Sequence, residues 1–311
     1  MTAMLLALLA SGPCLYWTQG VDSKPALDAA GVTQICAAPE QVAAWTAIGV
    51  RATPVESADL AAREAVPVPG VAPRAGVASP TRAPWIVANG WRMLRRPEAR
   101  YVYMVPAGRG ALAAAEAAAY RLDALIQIDP ADLTAVAPIL AFAAALPVDD
   151  LRPIADLAVV DDGTEATGEV MNLLARRNLL FAPVPAGSSA YPLTIAVGSP
   201  AYPLSDAADP SAFAQKVRGQ LTDARRSLRI FGSEVVIGRL TGDGMRTRLQ
   251  LVNYGGRDIE GLRVRVKGTF RSIEASMPGA ETVAVTDVIV SDGATEFSIP
   301  RMGVYAFIEM R

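Results

Sequence analysis

The 311-residue chain is 51% hydrophobic and 19% charged, with a formal net charge of -2 and both signs interspersed. That excludes a disordered, solvated polymer and leaves no overall basic footprint of the kind nucleic acid requires. Histidine is absent, which removes the commonest general base and metal ligand together with every Ser/His/Asp or Cys/His arrangement, so any chemistry must rest on carboxylates, lysine, tyrosine or backbone.

The length leaves room for two or three compact domains. Residues 1–10 are apolar but too few to span a bilayer, which takes about 20, and no transmembrane segment is expected. Residues 1–12 read either as the hydrophobic part of a secretory signal, which would place the mature protein in the periplasm or outside the cell, or as an ordinary buried helix or strand. Cys14 and Cys36 cannot make a zinc site alone and form no CxxC pair. They are either two small buried hydrophobes or a disulfide between neighbouring strands.

From 13 to 150 short strands alternate with short helices. Strands are expected at 15–19, 32–37, 50–55, 85–89, 101–105 and 122–128, and helices at 24–30, 39–48, 109–120 and 131–146. Pro39 near a first turn and Gly49 past an end punctuate one of the helices. Such units pair their strands in parallel with helices outside. Because a full (β/α)8 barrel takes about 250 residues, a shrunken or incomplete barrel-like α/β domain is expected. The proline- and glycine-rich stretch 66–84 interrupts it with loop or extended structure.

An acidic, proline-containing linker at 147–153 leads into the second domain, 151–226. Strands at 156–160, 179–184 and 193–197 with helices at 165–177 and 211–221 predict a small flavodoxin-like α/β unit. From 227 to 311 the period changes to two. Leu262, Val264 and Val266 alternate with Arg263, Arg265 and Lys267, and turn signals recur at Gly255-Gly256, Pro278-Gly279 and Asp292-Gly293. Roughly seven or eight short strands at this spacing predict an antiparallel β-sandwich, with Leu251, Val264, Val266 and Phe297 in its core and able to stand independently.

The segment Leu249-Gln250-Leu251-Val252-Asn253-Tyr254-Gly255, the alternation over 262–267, and the closing Phe297-Ser298-Ile299-Pro300 and Val304-Tyr305-Ala306-Phe307 together resemble the small C-terminal sandwich of bacterial glycoside hydrolases. The order of a barrel-like domain, a flavodoxin-like domain and a sandwich is similar to that of family 42 β-galactosidases, although the first domain here is far smaller and holds no Asn-Glu pair. The resemblance implies a bacterial envelope protein of glycosidase-like ancestry that binds carbohydrate, with or without hydrolysing it.

Two carboxylates flanking a sugar bond can hydrolyse it without histidine, and parallel α/β folds build their sites at the C-terminal ends of strands. Asp129 and Glu56 are therefore the expected catalytic pair, with Asp22 near them. Asp129, before Pro130, equally suits a helix cap. Trp17, Gln19, Asn89, Trp91, Arg92 and Tyr103 are expected to bind substrate, the rings as platforms for sugars and the polar groups toward hydroxyls, against the alternative that the tryptophans, Trp85 included, are core residues. Glu116 is expected on an exposed helix face, and Arg92, Arg95 and Arg96 on a solvated one. Asp161-Asp162-Gly163 either caps the following helix or holds a metal or a hydroxyl. No dinucleotide or phosphate-loop pattern occurs, and neither a cofactor nor a metal is expected.

Overall fold

The computed structural model describes residues 12–72, 85–148, 150–186, 190–207 and 209–311. The apolar run 1–10 and residues 73–84 of the proline-rich stretch lie outside them. Among the described residues no helix is long and apolar enough to cross a membrane. The fold is mixed α/β, with antiparallel sheets at the C-terminus.

Among the described residues, six short strands run parallel in the first unit: β1 (Cys14–Leu15), β2 (Gln34–Ala37), β3 (Arg51–Pro54), β4 (Glu64–Ala65), β5 (Tyr101–Met104) and β6 (Ala124–Gln127). β2 pairs with β3, β4 with β5 and β5 with β6; β6 then returns to pair with β1, and Tyr16, just beyond β1, bridges to Cys36 of β2. No ladder joins β3 to β4 among the described residues. Cys14 and Cys36 form a disulfide that clips β1 to β2, which decides between the two readings of the cysteines.

Strand alternation sorts the side chains. Tyr16, Cys36, Val55, Val102 and Leu125 make one small cluster. Leu15, Trp17, Tyr101, Tyr103, Ala124 and Ile126 instead join the helix residues in the large core. The helix Gly110–Tyr120 lies at its centre, and every residue of it but Ala111 is buried. Its alanines bring the helix close to β6, to the helix Leu133–Ala145 and to the C-terminal sheets. The Asp132 carboxylate accepts from the Gly108 and Gly110 amides at 2.7 Å each, which satisfies the first helical donor, Gly110, that the helix itself cannot, and ties down the turn before it. Arg121, in the left-handed region at φ 52°, ends it.

Gly90 begins the helix Gly90–Arg95 against this core, and a Cβ there would lie 2.0 Å from the Tyr120 hydroxyl oxygen. Gly90→Ala is therefore expected to destabilise by about 1–3 kcal/mol through overpacking. A thermal midpoint equal to the parent's would mean that Tyr120 swings aside without cost.

The second unit is a three-stranded parallel sheet of β7 (Leu157–Val160), β8 (Phe181–Val184) and β9 (Thr194–Ile195) in the order β8-β7-β9. The helix Glu165–Arg176 shares its core. Thr164 caps that helix, its hydroxyl accepting from the Thr167 amide, while Asp161 turns to Arg95 of the first unit at 2.8–2.9 Å. Arg95 thus ties two units together instead of lying on a solvated face.

The third unit has β10 (Leu228–Phe231), β11 (Val236–Gly242), β12 (Thr247–Asn253), β13 (Ile259–Lys267), β14 (Ile273–Met277), β15 (Ala280–Val283), β16 (Thr286–Ser291), β17 (Ala294–Met302) and β18 (Tyr305–Met310). They form antiparallel sheets in the orders β10-β13-β17-β16 and β15-β14-β18-β12-β11, the second extended by Arg152–Pro153 from the linker. Leu251, Val264, Val266 and Phe297 are fully buried between them, as their period predicts. Ile237, Val252, Tyr254 and Tyr305 belong instead to the core of the first unit. The sandwich therefore does not stand apart, because β12 is buried on both faces.

Candidate functional site

Gln19, Glu56 and Asp129 follow the C-terminal ends of β1, β3 and β6 and are exposed. Because β6 is hydrogen-bonded to β1, Gln19 and Asp129 stand beyond the ends of adjacent strands, whose axes are about 4.8 Å apart. Asp129 accepts the Ala131 amide at 2.9 Å, capping the turn Pro130–Asp132. Glu56 precedes the helix Ser57–Ala62 as its N-cap residue without a side-chain cap bond. Asp22 lies in the turn Val21–Ser23. Among the described residues no cluster of three potential metal ligands occurs.

The other expected binding residues lie elsewhere. Trp17 is 2% exposed, its indole donating to the Ser23 hydroxyl at 2.8 Å. Trp91 is buried in the core of the second unit, where the missing side chain of Gly168 makes room for it. Arg92 stacks over that indole at 4.3 Å and sits 3.9 Å from Glu64. Trp85 is half-buried under the Arg176 guanidinium. Tyr103 and Asn89 are buried against Glu116. The physical reason is alternation: Trp17 and Tyr103 occupy the strand parity that faces the helices.

Glu116 corrects the expectation of an exposed helix face, since it is 0% exposed. A helix that is alanine nearly all round has no polar side to turn to water, and packing on several sides buries its one carboxylate. Oε1 accepts from the Asn89 amide and the Tyr254 hydroxyl, both at 2.6 Å, and Oε2 accepts from Asn89 Nδ2 and the Tyr103 hydroxyl, both at 2.8 Å. Burial pushes the carboxyl above its ordinary value, while the bonds from Tyr254, Asn89 and Tyr103 pull it back. Burial first, and the charge of Glu116 second, raise the phenols of Tyr103 and Tyr254, which keeps both as donors. With four donors on two oxygens, this carboxylate fastens the helix to β5 and to the sandwich.

A cleft where the units meet, lined in part by Tyr120, Asn178, Phe181 and Arg239, has a volume of about 30 Å³. That is room for a water or two, not for a sugar ring.

No protein-family model and no curated protein sequence matches the chain. Solved structures do. The chain is similar to α-L-fucosidase isoenzyme 2 from Paenibacillus thiaminolyticus, at 9% identity and a TM-score of 0.54, over 71% of this chain and 62% of that one. A β-galactosidase from Rahnella sp. R3 matches at 11% identity and a TM-score of 0.39, over 67% of this chain and 52% of that one. A glycoside hydrolase family 30 subfamily 8 xylanase from Clostridium acetobutylicum matches at 8% identity and 0.25, over 71% and 45%. The chain thus spans less than two thirds of the fucosidase. The fold is of glycosidase type, and likeness at this identity speaks to fold alone.

Proposed function

We propose that this chain binds carbohydrate at the strand-end face of a shrunken, barrel-like first unit and does not hydrolyse it. The observation that carries this reading is the pair Gln19 and Asp129, exposed beyond adjacent parallel strands, where an amide and a carboxylate together offer donors and acceptors to sugar hydroxyls. The return of β6 to β1 supports a barrel ancestry, and the succession of a parallel unit, a small β8-β7-β9 unit and a sandwich supports a domain order like that of family 42 β-galactosidases.

A glycosidase needs an acid and a base or nucleophile about 5–9.5 Å apart, with the acid commonly held protonated by its surroundings. Here the carboxylates that burial raises are Glu116, closed in by four donors, and Asp156, held by the Ser227 amide and hydroxyl in the second unit, while Asp129 is engaged as a cap. The Cys14–Cys36 disulfide supports an oxidising compartment, periplasmic or extracellular.

The test is a glycan array together with chromogenic glycosides on the purified protein. A neutral glycan is expected to bind, Gln19→Ala and Asp129→Asn are each expected to weaken it about tenfold, or 1.4 kcal/mol, and no glycoside should be turned over. Turnover that falls about 100-fold or more in Asp129→Asn would instead make the chain a hydrolase. Failure of every neutral glycan to bind would remove the reading altogether.

A further inference from the structure

The sheet β10-β13-β17-β16 has an outer face that packing alone does not explain. Leu228 pairs with Val266 and Ile230 with Val264 on the inner side, which places Arg229 directly opposite Arg265, and Phe231 opposite Arg263, on the outer side. Like charges directly opposite in an antiparallel pair are destabilising. Sheets of this kind commonly avoid the cost by alternating signs.

The cations are gathered and held. Glu296 on β17 accepts from Arg263 at 2.9 Å and Arg265 at 3.0 Å. Asp223 accepts from Arg218 at 2.9 and 3.1 Å and from Arg226 at 3.3 Å, and lies 3.2 Å from Arg229. Asp156 faces Arg226 and Lys267 from beneath, so these five arginines and Lys267 share three carboxylates, a surplus of three positive charges on a chain whose net charge is -2. The hydrogen bond from Arg218 first, then Arg226 and the charge of Arg229, holds the Asp223 carboxyl down at about 2, so it stays ionised and cannot add a proton to that surplus. Lys267 extends the row, whereas Glu260 at the start of β13 pairs with Arg301 and Asp287 and Asp292 lie at the far edge, confining the positive zone to β10, the later part of β13 and the segment before them. Within it the Phe231 ring is 37% exposed, with the Arg229 guanidinium 4.9 Å from its centre.

We infer that this outer face binds an anionic polysaccharide, its carboxylate or sulfate groups met by Arg229, Arg263 and Arg265 and a sugar ring stacked on Phe231. The guanidinium fork matches such oxyanions bidentately. Strand pairing sets Arg229 about 4.8 Å from Arg265 across the strands, and two residues along β13 set Arg263 about 6.8 Å from Arg265, a close cluster suited to adjacent charges on a polymer. An exposed ring among them offers a face to sugar. In an oxidising compartment, the setting that a disulfide favours, glycans and not nucleic acids are the usual polyanions. This face is in a different unit from the strand ends of the first and takes a ligand of opposite requirement, so the inference holds or fails independently of the neutral-glycan reading.

The test is surface plasmon resonance of the full chain against polygalacturonate, heparin, dextran and single-stranded DNA. Binding to polygalacturonate or heparin is expected, the better of the two telling carboxylate from sulfate, with affinity falling as salt rises and no binding to dextran by this face. Arg229→Gln is expected to weaken it about tenfold while leaving the thermal midpoint unchanged or higher, because the opposed pair with Arg265 is relieved. Phe231→Ser should weaken it without changing the salt slope, and Asp129→Asn should leave it unaltered. The inference is overturned if neither polyanion binds, if Arg229→Gln and Phe231→Ser both bind like the parent, or if DNA binds as tightly as the glycan through the same residues.

Discussion

Glu116→Ala is expected to lower stability by about 4 kcal/mol or more, since it leaves four buried donors without their acceptor at about 1–3 kcal/mol each. The loss is large because the variant strands the Asn89 amide, Asn89 Nδ2 and two phenols in a water-free core, and each unsatisfied buried donor is penalised. With an unfolding entropy of about 2.1 cal/mol/K per residue over 311 residues, the midpoint should fall by about 6 °C or more in calorimetry. Tyr254→Phe, which deletes a single donor, should cost about 1–2 kcal/mol.

The same residue predicts a pH signature. Burial raises the folded carboxyl above its unfolded value, so its linkage contribution is complete below the unfolded pKa and is lost as pH rises through the folded one. Glu116→Gln has no such step. The stability gap between parent and Glu116→Gln should therefore be wider at about pH 4 than at about pH 7. A gap that is constant, or that widens toward neutrality, would show that the four donors outweigh burial.

Replacing both cysteines with alanine is expected to cost about 3 kcal/mol, the loop-closure value for a separation of 22 residues. At the same entropy per residue the midpoint falls by about 5 °C. The mechanism matters beyond the number. β1 is a two-residue strand with few ladder bonds of its own, and the crosslink holds it to β2 on the side away from β6. Reducing agent should lower the parent's midpoint by the same amount and leave the double variant unchanged. Two titratable thiols in the unreduced parent would refute the crosslink.

Period alone was enough for the sandwich: Val264, Val266 and Phe297 face inward because strand side chains alternate and one face must leave water. Parallel pairing was likewise legible for most strands of the first two units, since a helix between two strands favours it, but not for Trp85–Val87, which pairs antiparallel with Gly70–Ala72 and joins none of the parallel ladders. Glu116 was not. Its burial depends on Tyr254, 138 residues away, arriving over the helix from the sandwich, and no local pattern encodes that encounter. Trp17, Tyr103 and Asn89 carried side chains suited to sugar, yet strand parity and the meeting of units turned them into the core. The arginine row was visible as the polar half of an alternating strand, but its charge surplus was not. Only the antiparallel register sets Arg229 against Arg265, because pairing, unlike alternation, is decided between strands and not within one.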